Sequence, residues 1–261
     1  MSAQIFVDVQ SDAATVTLSN PGKLNALCVS MWRDLATEFA ALNQNMQLRH
    51  VVIRGEGTEA FAAGADISEF DEVRNTREQV EHYHETRVRE ALCAIRDCPV
   101  PVVAAIHGAC VGGGLEIAAM CDLRICSEDA RFGIPVSRLG FPMAFSEMEL
   151  VWNAVSPNVL TELLLEARLM NAQEALGKGL VNRVVAAGEF DSAIAATVAR
   201  IAAGAPLVNR AHKRQLQRLR ENREPLTRDE RLSSYFFLDT EDYRIGRRAF
   251  ADKTTPRFEG R

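Results

Sequence analysis

Gly112-Gly113-Gly114-Leu115-Glu116 follows the apolar run Val102-Val103-Ala104-Ala105-Ile106 and precedes Ile117-Ala118-Ala119-Met120. That order reads as a buried strand, a glycine turn and a helix. About fifty residues earlier the pattern recurs, with Val51-Val52-Ile53 leading to Phe61-Ala62-Ala63-Gly64-Ala65-Asp66. Glycine lets backbone adopt positive φ and approach a ligand closely, and the first N–H groups of a helix lack internal acceptors. Two such turns brought together aim two N–H donors at one oxygen, the equipment for a carbonyl that becomes an oxyanion. Tight helix–strand packing is the alternative reading of the triplet. Nucleotide binding is a further one, although Gly108-x-x-x-Gly112-Gly113-Gly114 matches neither GxGxxG nor GxxxxGK[ST].

Glu116 stands just past the triplet in a helix that is apolar nearly all round. A first-turn carboxylate is favoured by the helix dipole, which is a structural role. Burial on every face demands a partner or a raised pKa, and both suit general acid–base work. Asp66 reads most simply as an N-cap. Glu147 reads as a first-turn helix residue, with a catalytic carboxylate as the alternative. His82 and His84 lie on one helix as surface or packing residues, and His107 as a strand-end residue next to the glycine turn. Basic side chains crowd Lys213, Arg214, Arg218, Arg220 and Arg223, and again Arg247, Arg248 and Lys253. They read as a solvated helix face, with a phosphate-bearing ligand as the functional alternative.

The 261 residues suffice for one large domain, or a core with an appendage, and 47% of them are hydrophobic, enough for an unstapled core. A net charge of −5 argues against general nucleic-acid binding. No apolar run approaches membrane-spanning length and the start lacks a secretory segment, so the expected location is the cytoplasm. The six cysteines form no CxxC pair and have no histidines at zinc spacing. Buried, reduced thiols and no metal are expected.

Alternation at Ile5, Val7 and Val9, then at Val16 and Leu18, predicts an opening hairpin about Ser11-Asp12. Ser30 is placed to cap a helix bearing Trp32, Leu35, Phe39 and Leu42 on one face. Thr76 and Gln79 form a capping box that opens one long helix to about Asp97. Helix starts also fall at Ser146…Glu149, Ser156-Pro157 and Asn171…Glu174. The expected organisation is an α/β core over 1–190 and a helical region over 191–261, with no flexible linker between them.

These stretches together resemble the crotonase (enoyl-CoA hydratase/isomerase) superfamily. The resemblance is carried by residues 18–27 (LSNPGKLNAL), 61–70, 107–122, 175–182 (ALGKGLVN) and the closing segment from Ala249-Phe250 to Pro256-Arg257-Phe258. It implies a spiral of β-β-α units with a helical C-terminal region, assembled as a homotrimer or dimer of trimers. It also implies a coenzyme A thioester as substrate and no separate cofactor. By the same resemblance Ala65 and Gly113 supply the oxyanion N–H groups, and Glu116 is a catalytic glutamate. Backbone about Ala63, Ala65, Asp66 and Ile67 would meet CoA, Lys23 would approach its phosphates, and Phe250 and Lys253 would serve a neighbouring subunit.

One position departs from the pattern. Hydratases of the best-known type carry a second glutamate after the Phe-Gly strand, and here Phe132-Gly133-Ile134-Pro135 leads to Val136. Hydration of an enoyl-CoA is the leading expectation. Isomerisation, decarboxylation or thioester hydrolysis by Glu116 alone are alternatives, and so is a non-catalytic binding protein of the same fold. Met143, Phe145 and Trp152 are the pocket-wall candidates.

Overall fold

The structure is a computed structural model that describes residues 3–261. It opens on an antiparallel pair, β1 (Gln4–Gln10) and β2 (Ala13–Ser19), as the alternation predicts, followed by α1 (Val29–Gln44). Three β-β-α turns come next. In the first, β3 (His50–Gly55) and β4 (Ala60–Ala62) precede α2 (Phe70–Val73), α3 (Arg77–Glu81) and α4 (Arg89–Arg96). The second comprises β5 (Val102–Ile106), β6 (Ala109–Val111) and α5 (Gly113–Met120). In the third, β7 (Leu123–Ser127) and β8 (Arg131–Gly133) precede α6 (Phe145–Ala154) and α7 (Pro157–Leu165). The short β9 (Met170–Asn171), α8 (Ala172–Gly177) and β10 (Arg183–Val185) complete the core. The chain then runs helically through α9 (Phe190–Ala202), α10 (Pro206–Glu221), α11 (Arg228–Leu232) and α12 (Glu241–Asp252).

Each turn sends its first strand to one sheet and its second to another. The larger sheet has the order β1-β2-β3-β5-β7-β10 and the smaller β4-β6-β8-β9. Pairing is parallel from β2 to β10 and from β4 to β8. β5 is buried at every position, as a strand covered on both faces must be. The parallel stacking of β4, β6 and β8 brings the turns that leave them to the same end of the smaller sheet.

The main core includes Trp32, Phe39, Phe61 and Phe132, all under 2% exposed. Burying each such side chain contributes about 1.5–3 kcal/mol. The helical C-terminal region is tied to the core rather than hung from it. Phe190 packs with Val52 and Ala105 on the larger sheet, and Lys213 reaches Asp122 (2.7 Å) and the Val100 carbonyl (3.1 Å). Lys213 is therefore buried, which corrects its assignment to a solvated face.

Two helix starts differ from expectation. Cys28, not Ser30, is the N-cap of α1, and no local side chain caps it. Glu69 supplies the acceptor instead, taking the Val29 N–H at 2.8 Å from another segment. The helix expected from Thr76 to Asp97 does open on its capping box, but it widens into a π turn over His82–Val88 before α4. All six cysteines are free.

Candidate active site

The two glycine turns meet. Gly64 has φ +102° and Gly112 φ +50°, and a methyl group on Gly112 would lie 3.6 Å from Gly64 Cα. Neither position suits a side chain, since both lie in the region where a Cβ is strained. Leu27 N–H donates to Gly64 O (2.7 Å) and Asp66 N–H donates to Leu27 O (2.9 Å). Backbone groups alternate in direction along an extended segment, so this pairing turns the Ala65 N–H the other way, into the cavity. Gly113 is the first residue of α5, where no intrahelical acceptor exists. Among the described residues neither the Ala65 nor the Gly113 N–H has an acceptor.

Packing dictates why the triplet is glycine. A Cβ on Gly114 would lie 2.3 Å from the Ala62 carbonyl oxygen, and one on Gly113 would lie 2.8 Å from the Trp32 ring. The packing reading thus holds at Gly113 and Gly114, and Gly113 also keeps a free N–H.

These turns line a cavity of about 690 Å³ including its mouth, a size suited to a small-molecule ligand. Ala63, Ala65, Ile67, Gly113 and Glu116 all border it. Met143 borders it as well, whereas Phe145 and Trp152 do not and are exposed, which removes them as pocket walls. A larger groove of about 1290 Å³ lies among the C-terminal helices, lined by Phe236, Phe237, Tyr243 and Phe250. It contains neither turn and no part of the carboxylate cluster.

Opposite the expected lone carboxylate, the structure places a second. Glu147 of α6 borders the same cavity and is 3% exposed. Its Oε1 lies 2.6 Å from Nδ1 of His84, which projects from the π turn. Glu147 is therefore more than a first-turn helix residue, and His84 is not a surface residue, whereas His82 is exposed. The adjacent Tyr83 is buried, with its hydroxyl accepting the Trp32 Nε1–H at 3.1 Å. π turns recur at functional sites because they break the regular helical register. Ser146 Oγ–H donates to Glu85 Oε1 at 2.8 Å and fastens α6 to that turn. Val136 faces the cavity with an apolar side chain, so the second carboxylate arrives from a different helix rather than from that position.

The electrostatics follow from burial. Glu116 is pushed well above the usual carboxylate range, first by burial and then by the charge of Glu147. Burial pushes Glu147 up to about 8, against the opposing pull of Arg74. Burial and Arg74 lower His84 to about 4. Near neutral pH the imidazole is neutral and the two carboxyls together hold protons. Among the described residues nothing hydrogen-bonds the Glu116 side chain, which leaves it available to a ligand or water.

The remaining sequence candidates lie elsewhere. Asp66 caps the turn Ile67–Glu69 by accepting the Ser68 N–H, and Lys23 Nζ reaches its Oδ2 at 2.7 Å. Burial raises the Asp66 carboxyl, but the hydrogen bonds from Lys23 and Ser68 outweigh it and hold it below the usual range. His107 stacks on Phe190 at 3.8 Å between ring centroids, a packing role. Phe250 is 89% exposed on α12, and Lys253 closes that helix with φ +54°. Neither reaches the cavity within this chain.

Two free N–H donors and two buried carboxyls thus border one cavity. The sequence model of the enoyl-CoA hydratase/isomerase family matches residues 8–261, and the chain belongs to that family. The crystal structure of an enoyl-CoA hydratase/carnithine racemase from Magnetospirillum magneticum superposes with a TM-score of 0.95 at 44% identity, covering 98% of this chain and 96% of that one. The probable enoyl-CoA hydratase 2, mitochondrial, of Arabidopsis thaliana is 33% identical over 94% of this chain and 81% of its own length. The putative enoyl-CoA hydratase of Thermus thermophilus is 33% identical over 94% of this chain and 96% of its own length.

Proposed function

We propose that this enzyme adds water across the α,β double bond of an enoyl-CoA. The Ala65 and Gly113 N–H groups hold the thioester oxygen as it gains enolate charge. Glu147, in its carboxylate form, takes a proton from water as the oxygen bonds to Cβ, and His84 fixes its orientation. Glu116, whose carboxyl burial holds in the protonated form, delivers its proton to Cα. The observation that carries this reading is the meeting of Glu116 and Glu147, from separate helices, in one buried cavity beside two free N–H groups. A coupled carboxyl pair supplies acid and base together, as hydration requires. Each oxyanion donor is worth about 3–4 kcal/mol of transition-state stabilisation where such donors have been removed.

CoA itself is assigned to the backbone about Ala63, Asp66 and Ile67, with Lys23 near its phosphates. Phe250 and Lys253, remote from the cavity of their own chain, are assigned to the CoA of a neighbouring subunit in a trimer.

The test is turnover of a panel of enoyl-CoAs in H₂¹⁸O with mass spectrometry of the products. Hydration predicts a gain of one water, with the label on Cβ. A product of unchanged mass with a shifted double bond would identify an isomerase instead.

A further inference from the structure

Arg74 is the cation of this cavity and has no anion. It ends α2, and its guanidinium carbon lies 3.9 Å from the Tyr83 ring centroid, 4.2 Å from Phe70 and 5.8 Å from Phe141. It borders the same cavity as Glu116 and Glu147. Among the described residues Arg74 forms no salt bridge and its buried Nε has no partner, while the Tyr83 hydroxyl is a neighbouring oxygen of the guanidinium. Arg168, by contrast, contacts Glu162, Glu166 and Glu174.

Aromatic faces offset part of a guanidinium charge. They do not supply the oxygen acceptors that its fork of five N–H donors fits. The nearest carboxyls do not fill that role. Neither glutamate forms an ion pair with Arg74, and Glu147 is engaged with His84. His84 is neutral and adds no charge. A guanidinium with no salt-bridge partner, held by rings inside the acyl cavity, is therefore the feature of the site that the catalytic groups leave unused.

We propose that Arg74 receives a second carboxylate on the acyl group, so that the substrate is the CoA thioester of an unsaturated dicarboxylic acid. The inference deepens the hydratase reading by naming the class of acyl group, and it rests on that reading for the double bond only. A planar carboxylate meets the guanidinium fork with two parallel hydrogen bonds. The thioester oxygen is held separately at Ala65 and Gly113, so the two ends of the acyl group are read by different donors. Phe70, Tyr83 and Phe141 keep the guanidinium in place before the ligand arrives, which lowers the ordering cost of binding.

Binding of saturated analogues tests this without turnover. Calorimetry compares succinyl-, glutaryl- and adipyl-CoA with butyryl-, valeryl- and hexanoyl-CoA, which match them in length but lack the carboxylate. CoA is common to each pair, so contacts to its phosphates cancel. The wild-type protein is expected to favour the carboxylate partner of at least one pair by about 10- to 100-fold, the range of a charge-assisted hydrogen bond. Arg74→Met should abolish that preference while leaving the uncharged analogue within about threefold of wild type, and Arg74→Lys should retain part of it. If Arg74→Met does not fold, Arg74→Gln, which keeps a planar polar head among the rings, takes its place. Absence of any preference in the wild type, or a preference that survives loss of the guanidinium, overturns the proposal. Turnover separates it from the hydratase reading. Hydration of neutral enoyl-CoAs with no carboxylate preference removes the Arg74 role and leaves hydration standing. A carboxylate preference in binding without water addition to any unsaturated analogue does the reverse.

Discussion

The two walls of the cavity are built from different materials. One is backbone, the N–H groups of Ala65 and Gly113, held where β4 and β6 end in parallel. The other is side chains, gathered from α5, α6, the π turn and the end of α2. A backbone donor keeps its chemistry under every substitution and can only be displaced. A side-chain acid can be deleted outright, and its protonation depends on its neighbours. The first wall is thus tested by geometry and the second by chemistry.

The largest effect is expected on the side-chain wall. Glu116→Gln and Glu147→Gln each preserve shape but cannot exchange a proton, and each should lower kcat by about 10²- to 10⁴-fold. Affinity for a saturated acyl-CoA should remain. If the pair acts as one unit, the double variant will fall little below the weaker single one. Steady-state kinetics with calorimetry reads both quantities. A loss under threefold for Glu147→Gln would leave Glu116 as the only acid on that wall and favour a one-base isomerisation over hydration.

Gly113→Ala probes the backbone wall. Its Cβ would meet the Trp32 ring at 2.8 Å, so the turn or the ring must shift. Losing the alignment of one oxyanion donor costs about 10²- to 10³-fold in kcat. Combining it with Trp32→Phe, which removes the ring atoms nearest the new methyl, should recover part of the loss. No recovery would mean that the turn itself or the Leu27 contact at 3.1 Å, rather than the Trp32 contact, carries the damage. A Gly113→Ala enzyme with unchanged kcat would break the assignment of this N–H to the oxyanion.

The contrast also explains what was legible beforehand. The glycine turns are local, since strand, glycines and helix follow one another in sequence, and their positions agree with the structure. The strand-turn-helix order is local too, whereas the β-β-α spiral is implied by the family resemblance and not by local pattern. The side-chain wall is not local either. Glu147 sits three residues into α6 behind Ala144, where an acidic residue has an ordinary helix-terminal explanation. Only the tertiary fold shows that it is 3% exposed and facing a histidine. His84 fits an α-helical stripe with Val80 and Val88, and nothing in that periodicity marks the π turn that carries it. Arg74 follows a short helix in a polar stretch and adds to Phe70 of that helix two aromatic neighbours from separate segments, Tyr83 and Phe141. Likewise Lys213 belongs to a basic run by composition and is buried because Asp122 and the Val100 carbonyl lie beneath α10.

The smallest effect separates the walls by their response to pH. The N–H groups do not titrate, so the backbone wall adds no pH dependence to stability. Glu147 does, and the sign can be worked out. Its folded-state pKa lies at about 8, above the ordinary glutamate value of 4.5. Between those values the folded protein holds a proton that the unfolded chain releases, so stability from this group is full below the lower value and declines as pH rises towards about 8. Above that the contribution is constant. Glu147→Gln removes the titration. Its Tm relative to wild type should therefore climb with pH across this window, groups not coupled to Glu147 contributing equally to both proteins. Gly113→Ala, compared in the same way, should give a difference in Tm that is flat with pH. A flat difference for Glu147→Gln would mean that this carboxyl titrates in the ordinary range. It would then be a carboxylate at neutral pH, able to pair with Arg74 and to act as base without a rise in pH.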